Sequence, residues 1–292
     1  MKDLSSRTKK IILDQQINEL TESIVYKKIA NRVKDQHNKD VLIQIADEEL
    51  RHYNIWKKYT NEDVKPKRFK ILRYTFLARL LGFTFALKLM EKGEGDASVL
   101  YKSIAHEVPE AEKIALDEDH HEQQLLALLD EERLQYVGSM VLGLSDALVE
   151  LSGTLAGLTF ALQNTRLIAL SGLITGISAT LSMASSEYLS HRSEGGSNAF
   201  KSGLYTGVVY LLTVAFLVAP YLLFSNAHFM GALGTMLITV VVIIFAFTYY
   251  ISVAKDVPFF KRFAEMTLIS LSVAAFSFGI GIVVKKTLGI EI

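Results

Sequence analysis

The sequence predicts an all-α protein in which a four-helix bundle precedes five membrane-spanning helices. Residues 1–133 hold 23 Lys/Arg and 24 Asp/Glu, whereas residues 134–292 hold only 8 and 7. Five apolar segments follow residue 134, each long enough to cross a bilayer as a helix. The first half is helical in its periodicity, and its only prolines, Pro66 and Pro109, suit helix junctions. We therefore predict two domains, 1–133 and 134–292.

The composition excludes several classes of protein. The chain has 31 basic and 31 acidic residues, so no excess of positive charge favours a nucleic acid as partner. It has no cysteine, which excludes disulfides, thiolate metal sites and cysteine nucleophiles. Any metal must then be bound by carboxylate, imidazole, thioether or carbonyl groups. The N-terminal residues lack the apolar stretch of a signal peptide, so we expect the first domain to stay in the cytosol.

Four helices are predicted in the first domain, over residues 6–35, 39–60, 69–107 and 110–133. The second and the fourth each carry a stripe with spacings of three and four, the pattern of an inward-facing side. The stripes are Leu42, Ile45, Glu49, His52 and Trp56, and Ala111, Ile114, Glu118, His121, Leu125 and Leu128. Each contains a Glu-x-x-His pair where apolar residues belong. Buried carboxylates and imidazoles need a compensating partner, and a bound metal supplies one.

The first and third predicted helices share a second pattern. Glu19 and Tyr26 correspond to Glu94 and Tyr101, within the similar surroundings ESIVYKKIA and ASVLYKSIA. A spacing of seven residues, about two turns, places both members of each pair on one face. We infer an internal duplication of a helix pair. One Glu from each of two helices, with Glu-x-x-His from each of the other two, is the arrangement of di-iron and di-manganese carboxylate proteins.

Over about residues 8–133 this half resembles the ferritin-like superfamily, especially its rubrerythrin branch. The resemblance implies a di-iron or iron/manganese centre whose ligands are Glu19, Glu49, His52, Glu94, Glu118 and His121, with Glu91 as an extra carboxylate. Neighbouring alternatives are Glu22, Glu48 and Glu122, and Glu22 is disfavoured because Ala97 takes its place in the repeat. Tyr26 and Tyr101 are candidate redox residues. The cysteine-rich electron-donating tail of rubrerythrins is missing.

Residues 69–90 need a separate interpretation, because they are very apolar yet contain Lys70, Arg73, Arg79 and Lys88. A membrane span is disfavoured by the arginine near the middle. The segment would lie on a membrane surface, pack against a second subunit or form an ordinary long bundle helix. The sequence leaves these three alternatives open.

The five apolar segments cover about residues 136–162, 167–190, 203–224, 230–253 and 263–284. The connections at 163–166 and 225–228 are short, so the helices that they join form antiparallel hairpins. Basic residues in the loops after the second and fourth spans predict a cytosolic N-terminus and an external C-terminus. Lys285 and Lys286 lie on the opposite side and argue weakly against this orientation.

Four side chains in the first two spans are unusual for lipid. Asp146 and Glu150 lie one helical turn apart, and Met183 and Glu187 repeat this spacing in the next span. A carboxylate inside a bilayer normally faces an aqueous path or a partner. Carboxylates with a thioether suit Fe²⁺ better than Mg²⁺ or Ca²⁺. The pattern predicts a divalent-cation path.

The segments GLSDAL at 143–148 and SMASSEYLS at 182–190 resemble the vacuolar iron transporter family, over about residues 134–290. The resemblance implies a five-span homodimer that moves Fe²⁺ or Mn²⁺ out of the cytosol in exchange for protons, with Asp146 and Met183 lining the path. Eukaryotic members carry an acidic metal-binding insert between spans two and three. Here that loop, residues 192–198, is short, so metal gathering must lie elsewhere.

Together the two halves resemble bacterial membrane-bound ferritins, which implies a multi-pass protein of a prokaryotic plasma membrane. Our hypothesis is a proton-coupled exporter of divalent metal ions, with a cytosolic domain that captures, oxidises or senses the ion. Carboxylates that bind the metal and a proton in turn would provide the coupling. Three alternatives remain open: a membrane-anchored ferroxidase or peroxidase, a manganese transporter, and a transporter gated by a metal sensor.

Overall fold

A computed structural model describes residues 4–92, 97–127, 136–195 and 198–288. The described part is all-α, as predicted. Among these residues, six α-helices lie in an N-terminal unit, Met1–Leu134, and five α-helices and a short 3-10 helix, Asn226–His228, lie in a C-terminal unit, Gln135–Ile292. The helices are α1 Ser6–Ala30, α2 Gln36–Thr60, α3 Arg68–Leu81, α4 Phe83–Lys92, α5 Ala97–Ile104, α6 Glu110–Ala127, α7 Val137–Leu162, α8 Thr165–Ser193, α9 Ala199–Leu223, α10 Phe229–Lys255 and α11 Phe259–Leu288.

The hairpin of α1 and α2 organises the N-terminal unit. Side-chain caps begin both helices: Ser5 accepts a hydrogen bond from the Thr8 amide, and Asp35 accepts one from the Asn38 amide. Asn61 ends α2 in the left-handed conformation, with φ of 54°. Ser23 Oγ donates to the Ala46 carbonyl at 2.7 Å and fixes the register of the two helices. This register brings the polar stripe of α2 against the inner face of α1.

Two predicted helix bounds were wrong. The first helix ends at Ala30 rather than at residue 35, since a separate cap at Asp35 starts α2. The predicted third helix over 69–107 is interrupted at Gly82, whose φ of 100° and ψ of 154° lie outside the helical region. Only glycine adopts this conformation readily, so the interruption has a local cause. The prediction missed it because Gly82 stands within a continuous apolar pattern.

The turn after α5 is tied to the start of α1. The Glu107 carboxylate accepts hydrogen bonds from the Ser5 backbone amide at 2.7 Å and from Thr8 Oγ1 at 2.8 Å. Trp56 on α2 packs against Tyr101 on α5, with ring centroids 5.5 Å apart. These contacts hold α5 and α6 against the first hairpin, so that the stripe of α6 faces that of α2.

The C-terminal unit contains five helices that are long and apolar enough to cross a membrane, which confirms that part of the predicted fold. Helix α7 is the central one and packs against each of the other four. The turns after α7 and α9 lie at one end, because Thr165 donates through its amide and its hydroxyl to Asn226 Oδ1, both at 2.9 Å. The unit is thus built on antiparallel hairpins, as its short connections predicted.

Glycines bring α7 and α11 into close contact. A methyl group on Gly281 would lie 2.3 Å from the Gly157 carbonyl oxygen, well inside van der Waals distance. Gly279 lies on the same helix, two residues earlier, and a methyl group there would meet no atom within 4 Å. Small residues at such crossings let helix backbones approach closely within a membrane.

We predict that Gly281→Ala destabilises the C-terminal unit, because the added methyl group must push the two helices apart. Overpacking of this kind costs about 1–3 kcal/mol. The fraction of detergent-solubilised protein that stays monodisperse after heating measures the effect. Gly279→Ala is the matched control and should behave like the wild type; equal stability of the two variants would contradict the close contact.

Candidate metal centre and membrane path

The Glu-x-x-His pairs of α2 and α6 face each other in the core of the N-terminal unit. Glu49 places Oε2 at 3.5 Å from His52 Nδ1 and Oε1 at 3.2 Å from His121 Nδ1. Glu118 places Oε1 at 3.3 Å from His52 Nδ1 and Oε2 at 3.7 Å from His121 Nδ1. Each carboxylate therefore offers one oxygen to each histidine. This is the disposition expected of two carboxylates that bridge a pair of metal ions.

Glu19 completes the half of the centre beside His52. Its Oε1 accepts hydrogen bonds from Trp56 Nε1 at 3.1 Å and from the Tyr101 hydroxyl at 2.8 Å. These two donors orient the carboxylate so that Oε2 lies 3.9 Å from His52 Nδ1. The ligand atoms of Glu19, Glu49, His52 and Glu118 all lie within 4.8 Å of one another.

The converging atoms have the properties of metal ligands. Within the described part of the chain, five of them are buried and make no hydrogen bond, namely Glu19 Oε2, Glu49 Oε2, His52 Nδ1, Glu118 Oε1 and His121 Nδ1. An unsatisfied buried polar atom is costly, and five at one point require a common explanation. A donor set of carboxylates and imidazoles suits Fe²⁺, Mn²⁺ and Zn²⁺. The residues present thus fit a di-metal centre.

The pKa shifts of these side chains also agree with a site for positive charge. Burial would lower the pKa of His52 and His121, but the Glu118 and Glu49 carboxylates raise these values to about 10 and about 11. Burial would raise the pKa of Glu49, but the two imidazoles hold it well below its ordinary value. Burial and the charges of Glu118 and Glu49 raise the pKa of Glu19. The buried carboxylates thus favour positive charge beside them, which a dication at the centre would supply.

A second pair of carboxylates supports the histidines from outside the centre, and the sequence analysis did not assign them this role. Glu48 Oε2 lies 2.6 Å from His121 Nε2, and Asp117 Oδ2 lies 3.2 Å from His52 Nε2. Each carboxylate precedes the glutamate of one motif and contacts the histidine of the other. Such contacts orient Nδ1 toward a metal and strengthen it as a ligand. The signal in the sequence is an acidic residue directly before each Glu-x-x-His.

The remaining candidates fall into different places. Glu91 is half-buried and accepts a hydrogen bond from the Tyr26 hydroxyl, and desolvation raises its pKa to about 8. Glu22, which the repeat disfavours as a ligand, pairs with Lys70 at 2.9 Å. Glu94 and the side chain of Glu122 lie outside the described residues. Tyr26 is the counterpart of Tyr101 in the repeat. Because Tyr101 contacts Glu19, the repeat would pair Tyr26 with Glu94, but the partner described for Tyr26 is Glu91.

In the C-terminal unit Glu187 on α8 is held by hydroxyls from two other helices. Its Oε1 accepts hydrogen bonds from Ser139 Oγ on α7 at 2.6 Å and from Ser202 Oγ on α9 at 2.7 Å. The two hydroxyls also lie 2.6 Å apart. Sequence analysis missed both serines, because hydroxyls are common in membrane helices and nothing in their spacing connects them to Glu187. The contacts show that Glu187 points into the unit rather than toward lipid.

The other three path candidates lie deeper in the helices. Because α7 and α8 are antiparallel and Ser139 meets Glu187, Met183 lies about one turn further along and Asp146 further still. Met183 packs against the core, and Glu150 accepts a hydrogen bond from the Tyr210 hydroxyl at 3.2 Å. From the level of Ser139 to that of Glu150 is about 16 Å, roughly half of a hydrocarbon core. We call these four side chains, spaced along α7 and α8, the row; Asp146, Met183 and Glu187 are half-buried and Glu150 is exposed.

This row is not a compact cluster like the one in the N-terminal unit. Among the described residues, the group of three or more acidic or histidine side chains with convergent ligand atoms is the one at Glu19, Glu49, His52 and Glu118. Polar groups spaced along a helix bundle are typical of a path for an ion rather than of a single tight site.

We predict that Mn²⁺ quenches the fluorescence of Trp56, the only tryptophan of the chain, since its indole is hydrogen-bonded to Glu19. Titration of the purified full-length protein in detergent measures the change. Glu118→Ala should abolish it. Glu112→Ala removes an exposed carboxylate from the same helix and should leave the titration unchanged. Equal quenching in both variants would contradict the assigned centre.

We also predict that Glu48→Ala weakens Mn²⁺ binding by about 10–100-fold, the usual effect of losing a carboxylate that orients a metal-bound histidine. The same titration gives the affinity. The neighbouring Asp47→Ala is the control, because Asp47 is exposed and pairs with Lys27 instead. If both variants bind like the wild type, the contact to His121 has no part in metal binding.

Comparison with known proteins gives one match, in the membrane half of the chain. Residues 137–197 match the model of the VIT family. No curated protein and no solved structure matches the chain. The matched segment contains α7, α8 and all four path residues, and it supports the resemblance drawn from the sequence for the membrane half. The chain is a multi-pass membrane protein whose first two spans are similar to the VIT family, which suggests a carrier of divalent metal ions.

Proposed function

We propose that the protein transports Fe²⁺ or Mn²⁺ across a membrane along the row of Glu187, Met183, Asp146 and Glu150. The observation that carries the proposal is the position of these residues: they lie in the segment that matches the VIT family, and Glu187 is held inside the unit by hydroxyls from two other helices. Carboxylates within a membrane are costly unless they face an aqueous path or a partner. A membrane anchor alone would not need them.

The chemistry of the row suits a divalent ion in transit. Carboxylate oxygens replace part of the hydration shell, and the Met183 thioether adds a soft ligand that Fe²⁺ accepts and Mg²⁺ does not. Ser139 and Ser202 keep Glu187 oriented without neutralising it. A carboxylate left without its cation in this low-dielectric setting is stabilised by a proton. Alternation between the two states supports proton exchange. The resemblance to the vacuolar iron transporter family, together with the predicted orientation, implies export from the side of the N-terminal unit.

The N-terminal unit, in the same proposal, is a ferritin-like domain that binds two divalent metal ions. Glu49 and Glu118 would bridge them, with Glu19, His52 and His121 as further ligands and Glu48 and Asp117 as orienting groups. This centre would gather or sense the ion in place of the loop insert that the chain lacks. The resemblance to dimeric transporters supports a homodimer as the working assembly.

Asp146→Asn tests the transport proposal, because it keeps the size of the side chain and removes its charge. We expect the initial rate of Fe²⁺ or Mn²⁺ flux in proteoliposomes to fall at least about tenfold, since losing a charge contact at low dielectric exceeds the ~1.4 kcal/mol of one decade. Glu194→Gln, at the exposed C-terminal cap of α8, is the control and should transport normally. Normal flux by Asp146→Asn would refute the path.

A second function, oxidation of Fe²⁺ by the N-terminal unit, is favoured by one observation. Tyr101 and Trp56, both readily oxidised, donate hydrogen bonds directly to Glu19. A di-iron centre there would supply electrons to oxygen or peroxide. Oxygen consumption on addition of Fe²⁺, lost in Glu118→Ala but kept in Asp146→Asn, would support this activity. Consumption unaffected by Glu118→Ala would exclude the centre as its source.

A further inference from the structure

Helix α3 has two apolar faces. In the described part of the chain, one face is buried and the other is exposed. Ile71 and Tyr74 are buried against the N-terminal unit. On the other side Phe69, Leu72, Phe76 and Leu80 are exposed to 80%, 67%, 62% and 58%. Their spacing of three, four and four residues puts them in one stripe. Four large apolar side chains in one exposed stripe mark an interaction surface.

Basic side chains border this stripe on both sides. At about 100° per residue, Arg68 and Arg79 lie along one edge of the stripe, and Arg73 lies along the other. All three are exposed. No acidic residue occurs from residue 64 to residue 90, whereas seven basic ones do. The partner of the stripe must therefore be apolar in the middle and negatively charged at its margins.

The interruption at Gly82 separates this surface from the core of the unit. Helix α4, directly after Gly82, buries Phe85, Leu87 and Met90. Because Gly82 has a φ of 100°, α3 does not continue the axis of α4. The outer face of α3 is exposed in the described part of the chain. An ordinary long bundle helix, one of the three alternatives from the sequence, does not account for this break.

We propose that α3 lies in the headgroup region of a bilayer that contains anionic lipids. Phe69, Leu72, Phe76 and Leu80 would enter the acyl boundary, and the bordering arginines would reach lipid phosphates, as in interfacial amphipathic helices. With 14 residues the helix is about 21 Å long, too short for a ~30 Å core. The five spans of the C-terminal unit keep the chain at a membrane, so a lipid surface is available.

A second copy of the chain fits the stripe less well. In a two-fold interface the same patch meets itself, so the arginine borders of two α3 helices would face each other. No carboxylate within residues 64–90 would balance these charges. Lipid phosphates provide the opposite charge along both borders at once.

Single-cysteine labelling tests the proposal in the full-length protein, because the chain has no cysteine of its own. Leu72→Cys and Phe76→Cys each receive a nitroxide label, and Lys113→Cys, exposed on α6, is the control. The proteins are placed in nanodiscs with phosphatidylcholine and phosphatidylglycerol. Relaxation by oxygen, which concentrates in lipid, is compared with relaxation by a water-soluble nickel chelate.

We expect the labels at 72 and 76 to be relaxed several-fold more by oxygen than by the nickel chelate, and the label at 113 to show the reverse. Relaxation of the first two mainly by the nickel chelate would overturn the proposal. Protection from both reagents together with spin–spin coupling between copies would also overturn it, and would identify a second chain as the partner.

Removing phosphatidylglycerol should reduce the immersion of the labels at 72 and 76. The triple variant Arg68→Gln, Arg73→Gln, Arg79→Gln should reproduce that loss. Immersion that is independent of both changes would exclude the charge contacts.

Discussion

Two glutamates that each face two histidines in a buried core are the interaction on which the N-terminal unit depends. Glu49 and Glu118 are drawn from helices far apart in the sequence, and their oxygens meet both imidazoles within 4 Å. Charged groups withdrawn from water destabilise a fold unless each finds a partner. The raised pKa values of the histidines reflect the negative charge of the neighbouring carboxylates. A bound metal would supply positive charge there and would also satisfy the five atoms without hydrogen bonds.

The surrounding residues make sense as supports of that centre. Trp56 and Tyr101 fix one oxygen of Glu19 and leave the other for the centre. Glu48 and Asp117 cross between helices α2 and α6, so that each motif orients the histidine of the other. Support from neighbouring helices is also found in the C-terminal unit, where Ser139 and Ser202 position Glu187 by hydroxyl contacts. In both units, neighbours from other helices orient these carboxylates.

Periodicity and composition were sufficient to predict several features of the structure. The all-α class, the five spans and the two Glu-x-x-His motifs follow from spacing along single helices. The sequence did not reveal the roles of four other side chains, because these roles arise from contacts across helices that no single-helix pattern encodes. They are Glu48, Asp117, Ser139 and Ser202. The break at Gly82 was also not predicted, since one glycine inside an apolar run is compatible with a helix until its φ is known. Its consequence is the free face of α3, which the sequence had left among three interpretations.

Electron paramagnetic resonance of the Mn²⁺-loaded full-length protein tests the central claim most directly. If Glu49 and Glu118 share their oxygens between two ions, two Mn²⁺ per chain should give a spin-coupled signal, and this coupling should vanish in Glu49→Ala while persisting in Asp146→Asn. An uncoupled six-line spectrum from the wild type, unchanged by Glu49→Ala, would contradict a shared centre in the N-terminal unit.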